Sequence, residues 1–150
     1  RDLHSFPTRR SSDLNRSFLA LAILPGVVSI GAAPRAEAAA PSRCIATTPR
    51  TISTGGTAWV PAASVGGTTN CYLEYDTAAY NPATYRLQES LRSAEGQYYV
   101  AVDGYYGSVT RRAVVNIQNR YGLTTDGVYG PNTGRAMRWL ASNGTAGWWI

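Results

Sequence analysis

The chain has 150 residues, of which 44% are hydrophobic and 15% charged, and its formal net charge is +5. It contains no lysine, and its single histidine is His4. Beyond that position the chain therefore cannot supply a Ser-His-Asp or Cys-His catalytic site or a phosphate-binding loop that needs a lysine.

Residues 1–14 agree along their whole length with the translation of a common sequencing-library adapter. We interpret them as an assembly artefact and exclude them from reasoning about the fold. The alternative is a natural basic arm without fixed structure.

Residues 15–38 are predicted to be a secretory signal peptide. Arg16 supplies a positive start, residues 18–30 are largely apolar, and a small-x-small cleavage site ends at Ala38. A membrane-spanning helix is the alternative, but the apolar run is interrupted by Pro25 and is shorter than the ~20 residues a bilayer requires. We expect cleavage after Ala38, export, and no membrane association afterwards.

Residues 39–80 form a Thr/Ala/Gly-rich extension whose composition offers too little apolar surface for a core of its own. We expect irregular structure there, with short strands such as residues 57–60 on the surface. Cys44 and Cys71 lie in this extension, and an even count in an exported chain favours a disulfide that stabilises by about 3 to 4 kcal/mol. A catalytic or metal-binding thiol pair would lack a histidine partner.

Three helices are predicted next. The first starts at Asn81 as the cap and Pro82 as the first helical residue, and the second covers residues 108–121, where apolar residues recur at three- and four-residue steps. The third is predicted over residues 131–142, and residues 143–150 are a C-terminal tail. The expected fold class is all-α: a small three-helix bundle with long Asp-Gly turns.

A motif of eleven residues occurs twice, 23 residues apart, starting at Asp103 and at Asp126, and seven positions agree. Each copy predicts an Asp-Gly turn, a tyrosine, a second glycine and then a helix with a threonine in its first turn. We expect both aspartates to accept hydrogen bonds from the turn amides.

Two further pairs of residues recur in register within this repeat. Thr110 and Thr133 are expected to bond first-turn amides of their helices. Tyr106 and Tyr129 are expected to pack in the core under the turns.

Together with a preceding Leu-Gln-x-x-Leu segment, the repeat resembles the peptidoglycan-binding domain family, which occurs on secreted cell-wall hydrolases and as free modules. The resemblance covers about residues 81–140 and implies a three-helix wall-binding module without a cofactor, whose predicted domain is residues 81–142. One departure is Ser108, where the family often has proline. The residues that carry the motif are Leu87, Gln88, Leu91, Asp103, Gly104, Tyr106, Gly107, Thr110, Ala113, Val114, Gln118, Gly122, Leu123, Asp126, Gly127, Tyr129, Gly130, Pro131 and Thr133.

Catalysis by Asp103 and Asp126 as a glycosidase pair is disfavoured, because so small a module has little room for a substrate cleft and both carboxylates have a structural role. We expect no metal site and no cofactor. Residues 39–150 carry nine arginines and six acidic residues, a net charge of +3, which is too low for a nucleic-acid footprint.

Binding to peptidoglycan would use aromatic rings against sugar faces and arginines against the carboxylates of the peptide stems. The expected function is that of a secreted, monomeric, non-catalytic wall-binding protein. The alternatives are the wall-binding module of a truncated hydrolase and a secreted protein-interaction domain. The candidate ligand-binding residues are Tyr98, Tyr99, Tyr105, Arg112, Asn132 and Arg135.

Overall fold

A computed structural model describes residues 40–150 of the chain. The predicted adapter segment 1–14, the predicted signal peptide 15–38 and its cleavage site lie outside the described residues. The elements in chain order are β1 (Ser42–Arg43), β2 (Ala46–Thr51), β3 (Thr57–Ala62), β4 (Cys71–Tyr72), α1 (Pro82–Ser93), α2 (Ser108–Arg120), α3 (Pro131–Ala136), β5 (Trp139–Leu140) and β6 (Ala146–Gly147).

The strands pair into three small sheets. β2 and β3 form an antiparallel hairpin in which Ala46 lies opposite Ala62 and Thr51 opposite Thr57. β1 pairs with β4 in parallel, and β5 pairs with β6 antiparallel. Single bridges join the sheets to distant segments, for example Ala58 to Ala141.

The prediction of an all-α three-helix bundle is wrong: 28% of the structure is helical and 24% is strand. The physical reason is that the extension buries its alternate apolar side chains in the same core as the helices. Ile52, Val60 and Leu73 are buried in one cluster with Leu87 and Ile117. A segment too poor in apolar residues for its own core can still form strands when helices cover one of its faces.

The first two helices agree with their predictions. Asn81 caps α1, since its Oδ1 accepts the amide of Ala83 at 2.8 Å, and proline occupies the first turn. α2 ends one residue earlier than predicted. Gly122 follows it with a φ of 66°, and the amide of Leu123 returns to the carbonyl of Gln118 at 2.8 Å. This is the glycine-dependent helix ending that the sequence indicated.

The third helix is shorter than predicted, because α3 ends at Ala136 and the chain turns into β5. Trp139 is fully buried, and its Nε1 donates to the carbonyl of Gly134 at 2.8 Å. Its ring stacks on that of Trp149, with 5.8 Å between the ring centroids. Burial of this indole outweighs the helical spacing of Ala136 and Leu140 on which the prediction relied.

The predicted disulfide between Cys44 and Cys71 is confirmed, with a Cα to Cα distance of 5.1 Å. After this disulfide the extension crosses both repeated turns. Leu73 exchanges two backbone hydrogen bonds with Tyr129, and Asp76 exchanges two with Tyr106. The extension therefore fixes the backbone on which the candidate site is built.

Candidate functional site

The first turn is organised by the buried side chain of Gln88 on α1. Its Oε1 accepts the amides of Asp103 at 3.0 Å and Gly104 at 2.7 Å. Its Nε2 lies within 3.0 Å of Asp103 Oδ1, the Tyr105 carbonyl and Thr110 Oγ1. The carboxylate of Asp103 also accepts the amide of Tyr105 at 2.9 Å, so the turn is held from both sides.

Gln118 on α2 does the same for the second turn. Its Oε1 accepts the amide of Gly127 at 2.9 Å, and its Nε2 donates to Asp126 Oδ1 at 2.8 Å and to the Val128 carbonyl at 3.0 Å. Asp126 Oδ1 accepts the amide of Val128 at 2.8 Å. Each turn is therefore closed by an aspartate from within and by a glutamine from the preceding helix.

The prediction that Thr110 and Thr133 bond first-turn amides of their helices is wrong. Thr110 Oγ1 and Thr133 Oγ1 lie 3.0 Å and 3.4 Å from the side-chain nitrogens of the two glutamines, and the helix caps are glycines without a side-chain hydrogen bond. Sequence reasoning did not assign these glutamine contacts. The signal in the sequence was a glutamine on the apolar face of α1 and another on that of α2. A glutamine side chain that is buried on such a face needs hydrogen-bond partners.

Tyr106 and Tyr129 lie under the turns and are fully buried. The hydroxyl of Tyr106 donates to the carbonyl of Gly127 at 2.9 Å and so ties the first repeat to the second turn. The hydroxyl of Tyr129 has no hydrogen-bond partner among the described residues. Burial raises the pKa of both phenols well above its ordinary value.

A groove of about 240 Å³ opens beside the first turn. Tyr99, 45% exposed, and Tyr105, 41% exposed, both line it. We name it the first groove; its lining residues are Thr77, Tyr99, Ala101, Asp103, Tyr105, Gly107, Ser108, Val109 and Thr110.

The ring of Tyr99 is held in place by α2. The guanidinium carbon of Arg112 lies 4.8 Å from the ring centroid, and Asn116 Nδ2 donates to the phenol oxygen at 2.9 Å. That oxygen donates in turn to Gln97 Oε1 at 2.8 Å. The ring therefore loses little further freedom when a ligand packs on it.

A second groove, of about 470 Å³, lies beside the second turn. Eight positions that line the first groove recur in it 23 residues later, but Gly122 and Val128 replace Tyr99 and Tyr105, so the aromatic wall is missing. We name it the second groove; its lining residues are Gln118, Gly122, Leu123, Thr124, Asp126, Val128, Gly130, Pro131, Asn132 and Thr133.

The other predicted ligand residues are not brought to one place. Asn132 lines the second groove and also, with Arg135, an adjoining cleft of about 530 Å³ whose opposite wall is residues 68–70. Tyr98 is 72% exposed but does not line either groove.

One carboxylate oxygen of each turn aspartate, Oδ1, accepts a backbone amide of its own turn. Within residues 40–150 no three His, Cys, Asp or Glu side chains are close enough together to hold a metal ion. None of the described helices has the length and apolar character needed to cross a bilayer.

The comparisons with known proteins identify this region. Residues 80–137, from the start of α1 to the end of α3, match the family described as "Putative peptidoglycan binding domain". The resemblance inferred from the repeat is thus confirmed, and the match indicates peptidoglycan binding and an association with the cell wall. Comparison with curated proteins finds no match, and comparison with solved structures finds none either.

Proposed function

We propose that this chain is a secreted, non-catalytic protein that binds peptidoglycan at the two grooves beside its repeated turns. The observation that carries the proposal is that both grooves occupy equivalent positions beside the repeated turns, and that all their lining residues except Thr77 belong to the segment that matches the peptidoglycan-binding family. The duplicated motif therefore builds two related recognition sites rather than one.

The first groove is suited to a sugar ring. Tyr99 and Tyr105 present partly exposed aromatic faces, and the apolar face of a pyranose stacks on such rings. The hydroxyls of Thr77 and Ser108 line the same groove and can exchange hydrogen bonds with those of a sugar. We assign the glycan strand to this groove.

The second groove and its adjoining cleft are suited to a peptide stem. Arg135 and Asn132 supply donors there, and a guanidinium holds a carboxylate through paired hydrogen bonds. Arg135 has no ion-pair partner among the described residues, so its charge is available to a ligand. We assign the free carboxylates of the stem to this side.

The absence of catalysis is supported by the chemistry of the side chains. Asp103 and Asp126 are turn residues, and residues 40–150 contain no histidine. Secretion is supported by the apolar stretch and small-x-small site in residues 15–38. Sequencing the N-terminus of exported protein tests this, with Ala39 as the expected first residue.

Co-sedimentation with insoluble peptidoglycan tests the function. The purified chain is expected to pellet with the wall and to release no soluble sugar or peptide over time. A folded protein that stays in the supernatant with walls of several chemical types would refute binding. Time-dependent release of muropeptides would instead support a wall hydrolase.

A further inference from the structure

A third depression, formed by β3, α1 and the segment from Leu140 to Gly144, has a volume of about 360 Å³. It shares no lining residue with the two grooves, and much of it lies outside the family match at residues 80–137. We name it the Trp59 pocket; its lining residues are Trp59, Arg86, Glu89, Ser90, Leu140, Ala141, Ser142 and Gly144.

The helix geometry separates this pocket from the turns. Arg86, Glu89 and Ser90 are three and four residues apart and lie on one face of α1. Gln88 is rotated about 100° from Glu89 and points to the first turn instead. One helix therefore serves two different surfaces.

Trp59 supplies a flat apolar surface in this pocket. Its neighbours Ala58 and Val60 are buried in the core, whereas Trp59 is 43% exposed on the other face of the hairpin. One exposed tryptophan is unremarkable on a protein surface. A tryptophan beside a charged pair in a concave site is complementary to a sugar, which has one apolar face and a rim of hydroxyls.

The charges in the pocket select the type of ligand. Arg86 Nη1 and Glu89 Oε2 are 2.7 Å apart, so the two formal charges cancel while further donor and acceptor atoms stay available. A neutral ring with several hydroxyls can exchange hydrogen bonds with both side chains. An anionic peptide stem would be attracted to Arg86 and repelled by Glu89.

The walls of the pocket are fixed before any ligand arrives. Ser142 donates its amide to the carbonyl of Thr57 at 3.0 Å, and Leu140 donates its amide to Ser90 Oγ at 3.2 Å. Both contacts join distant parts of the chain. A preformed site avoids part of the ordering cost of binding.

We propose that the Trp59 pocket binds a neutral pyranose ring of a β-linked glycan, as a site additional to the turn grooves. The assignment of the wall as the source of that glycan rests on the proposed function. The pocket itself can be tested with a soluble sugar that contains no peptide.

The experiment titrates the ¹⁵N-labelled chain with the β-1,4-linked trimer of N-acetylglucosamine and follows the tryptophan indole signals. The Trp59 signal, assigned from its loss in Trp59→Phe, is expected to shift, whereas that of Trp148 is not. Calorimetry of Trp59→Ala is expected to show trimer binding at the pocket weakened at least about tenfold, while binding at the first groove is retained. Trp148→Ala is the matched control, because Trp148 is 45% exposed but lies outside the pocket lining.

The double variant Arg86→Gln with Glu89→Gln is a second test, because it removes both charges and keeps hydrogen-bonding groups. It should bind the trimer more weakly than wild type does but more strongly than Trp59→Ala does. Unchanged trimer affinity in folded Trp59→Ala, or no trimer binding by wild type, would overturn the proposal. So would a shift of the Trp59 signal by the peptide D-alanyl-D-alanine equal to that by the trimer.

Failure of this site and failure of the proposed function give different results. If the pocket fails, wild type and Trp59→Ala pellet equally with peptidoglycan, and the trimer binds both with the same affinity and leaves the Trp59 signal unshifted. If wall binding fails, wild type binds the trimer at Trp59 but stays in the supernatant with intact walls.

Discussion

Gln88 and Asp103 meet across the first turn, where the glutamine Nε2 and the carboxylate Oδ1 are 2.9 Å apart. Gln118 and Asp126 repeat this contact at 2.8 Å in the second turn. The same glutamine–aspartate pair therefore occurs in both copies of the motif. In each copy the pair fixes the turn backbone that borders a groove.

Gln88→Ala is expected to lower the free energy of unfolding by about 2 to 3 kcal/mol, because it leaves the amide of Gly104 buried without an acceptor. Asp103→Ala should cost about 1 to 2 kcal/mol, the effect of losing a local backbone acceptor. In a double-mutant cycle the two losses should not add, with coupling of about 1 kcal/mol. Urea unfolding measures all three, and additive losses would contradict the shared network.

The second turn offers the same test with a neighbouring control. Gln118→Ala should destabilise about as much as Gln88→Ala, whereas Asn119→Ala, one residue along the exposed face of α2, should change stability by less than about 0.5 kcal/mol. Equal effects of Gln118→Ala and Asn119→Ala would refute a turn-organising role for the glutamine.

Glu95 joins the end of α1 to two later segments. Its buried carboxylate accepts Arg120 Nη1 at 2.7 Å, the amide of Arg138 at 2.6 Å and the hydroxyl of Tyr121 at 3.0 Å. Glu95→Ala is expected to cost about 3 kcal/mol, because three hydrogen bonds to a buried, charged acceptor are lost together. Glu89→Gln is the control, since its ion pair with Arg86 is partly exposed to solvent and should contribute less than about 1 kcal/mol. Thermal and urea unfolding of both variants would decide the comparison, and similar losses would argue against a role for Glu95.

Local signals in the sequence were sufficient for part of the fold. The Asn81-Pro82 start of α1 and the Gly122 ending after α2 depend on residues within one turn of the helix, and both were predicted. The disulfide was predicted from the even cysteine count together with the predicted export. The aspartate-closed turns are local in the same sense.

The errors arose where distant residues decide the structure. Ala58 pairs with Ala141, 83 positions later, and no pattern within the extension predicts that partner. α3 ends early because Trp139 is buried against Trp149, which a helical period cannot show. The first groove likewise requires Tyr99 and Tyr105 to line the same depression, so the tyrosines could be proposed individually but not assembled into a site.

Tyr106 and Tyr129 occupy equivalent repeat positions but differ in hydrogen bonding. Tyr106→Phe should destabilise by about 1 to 2 kcal/mol, because it leaves the carbonyl of Gly127 unpaired. Tyr129→Phe should be neutral or stabilising, because it removes a buried hydroxyl that has no partner among the described residues. Calorimetric melting of both variants checks the difference, and the reverse order would contradict it.

Burial of these two phenols should make stability sensitive to alkaline pH. Both pKa values are raised in the folded state, mainly by desolvation, so the folded chain retains protons that the unfolded chain loses above about pH 10. The contribution of the two tyrosines to the free energy of unfolding is therefore complete below about pH 10. Above that pH it declines by up to about 1.4 kcal/mol per pH unit for each tyrosine. Urea unfolding between pH 9 and 11 should show a shallower decline in the double phenylalanine variant than in wild type. Parallel declines would exclude the buried phenols as the cause.

The two grooves should contribute differently to wall binding. Tyr105→Ala should weaken co-sedimentation by about tenfold through lost stacking, whereas Tyr98→Ala, an exposed tyrosine outside the groove lining, should not. Changing Arg135 to Ala should also weaken binding, and should remove most of its dependence on salt, because charged contacts are screened while stacking is not. Binding isotherms at low and high salt separate these contributions. A wild-type affinity that does not change with salt would exclude the arginine contacts, and equal effects of Tyr98→Ala and Tyr105→Ala would exclude the first groove.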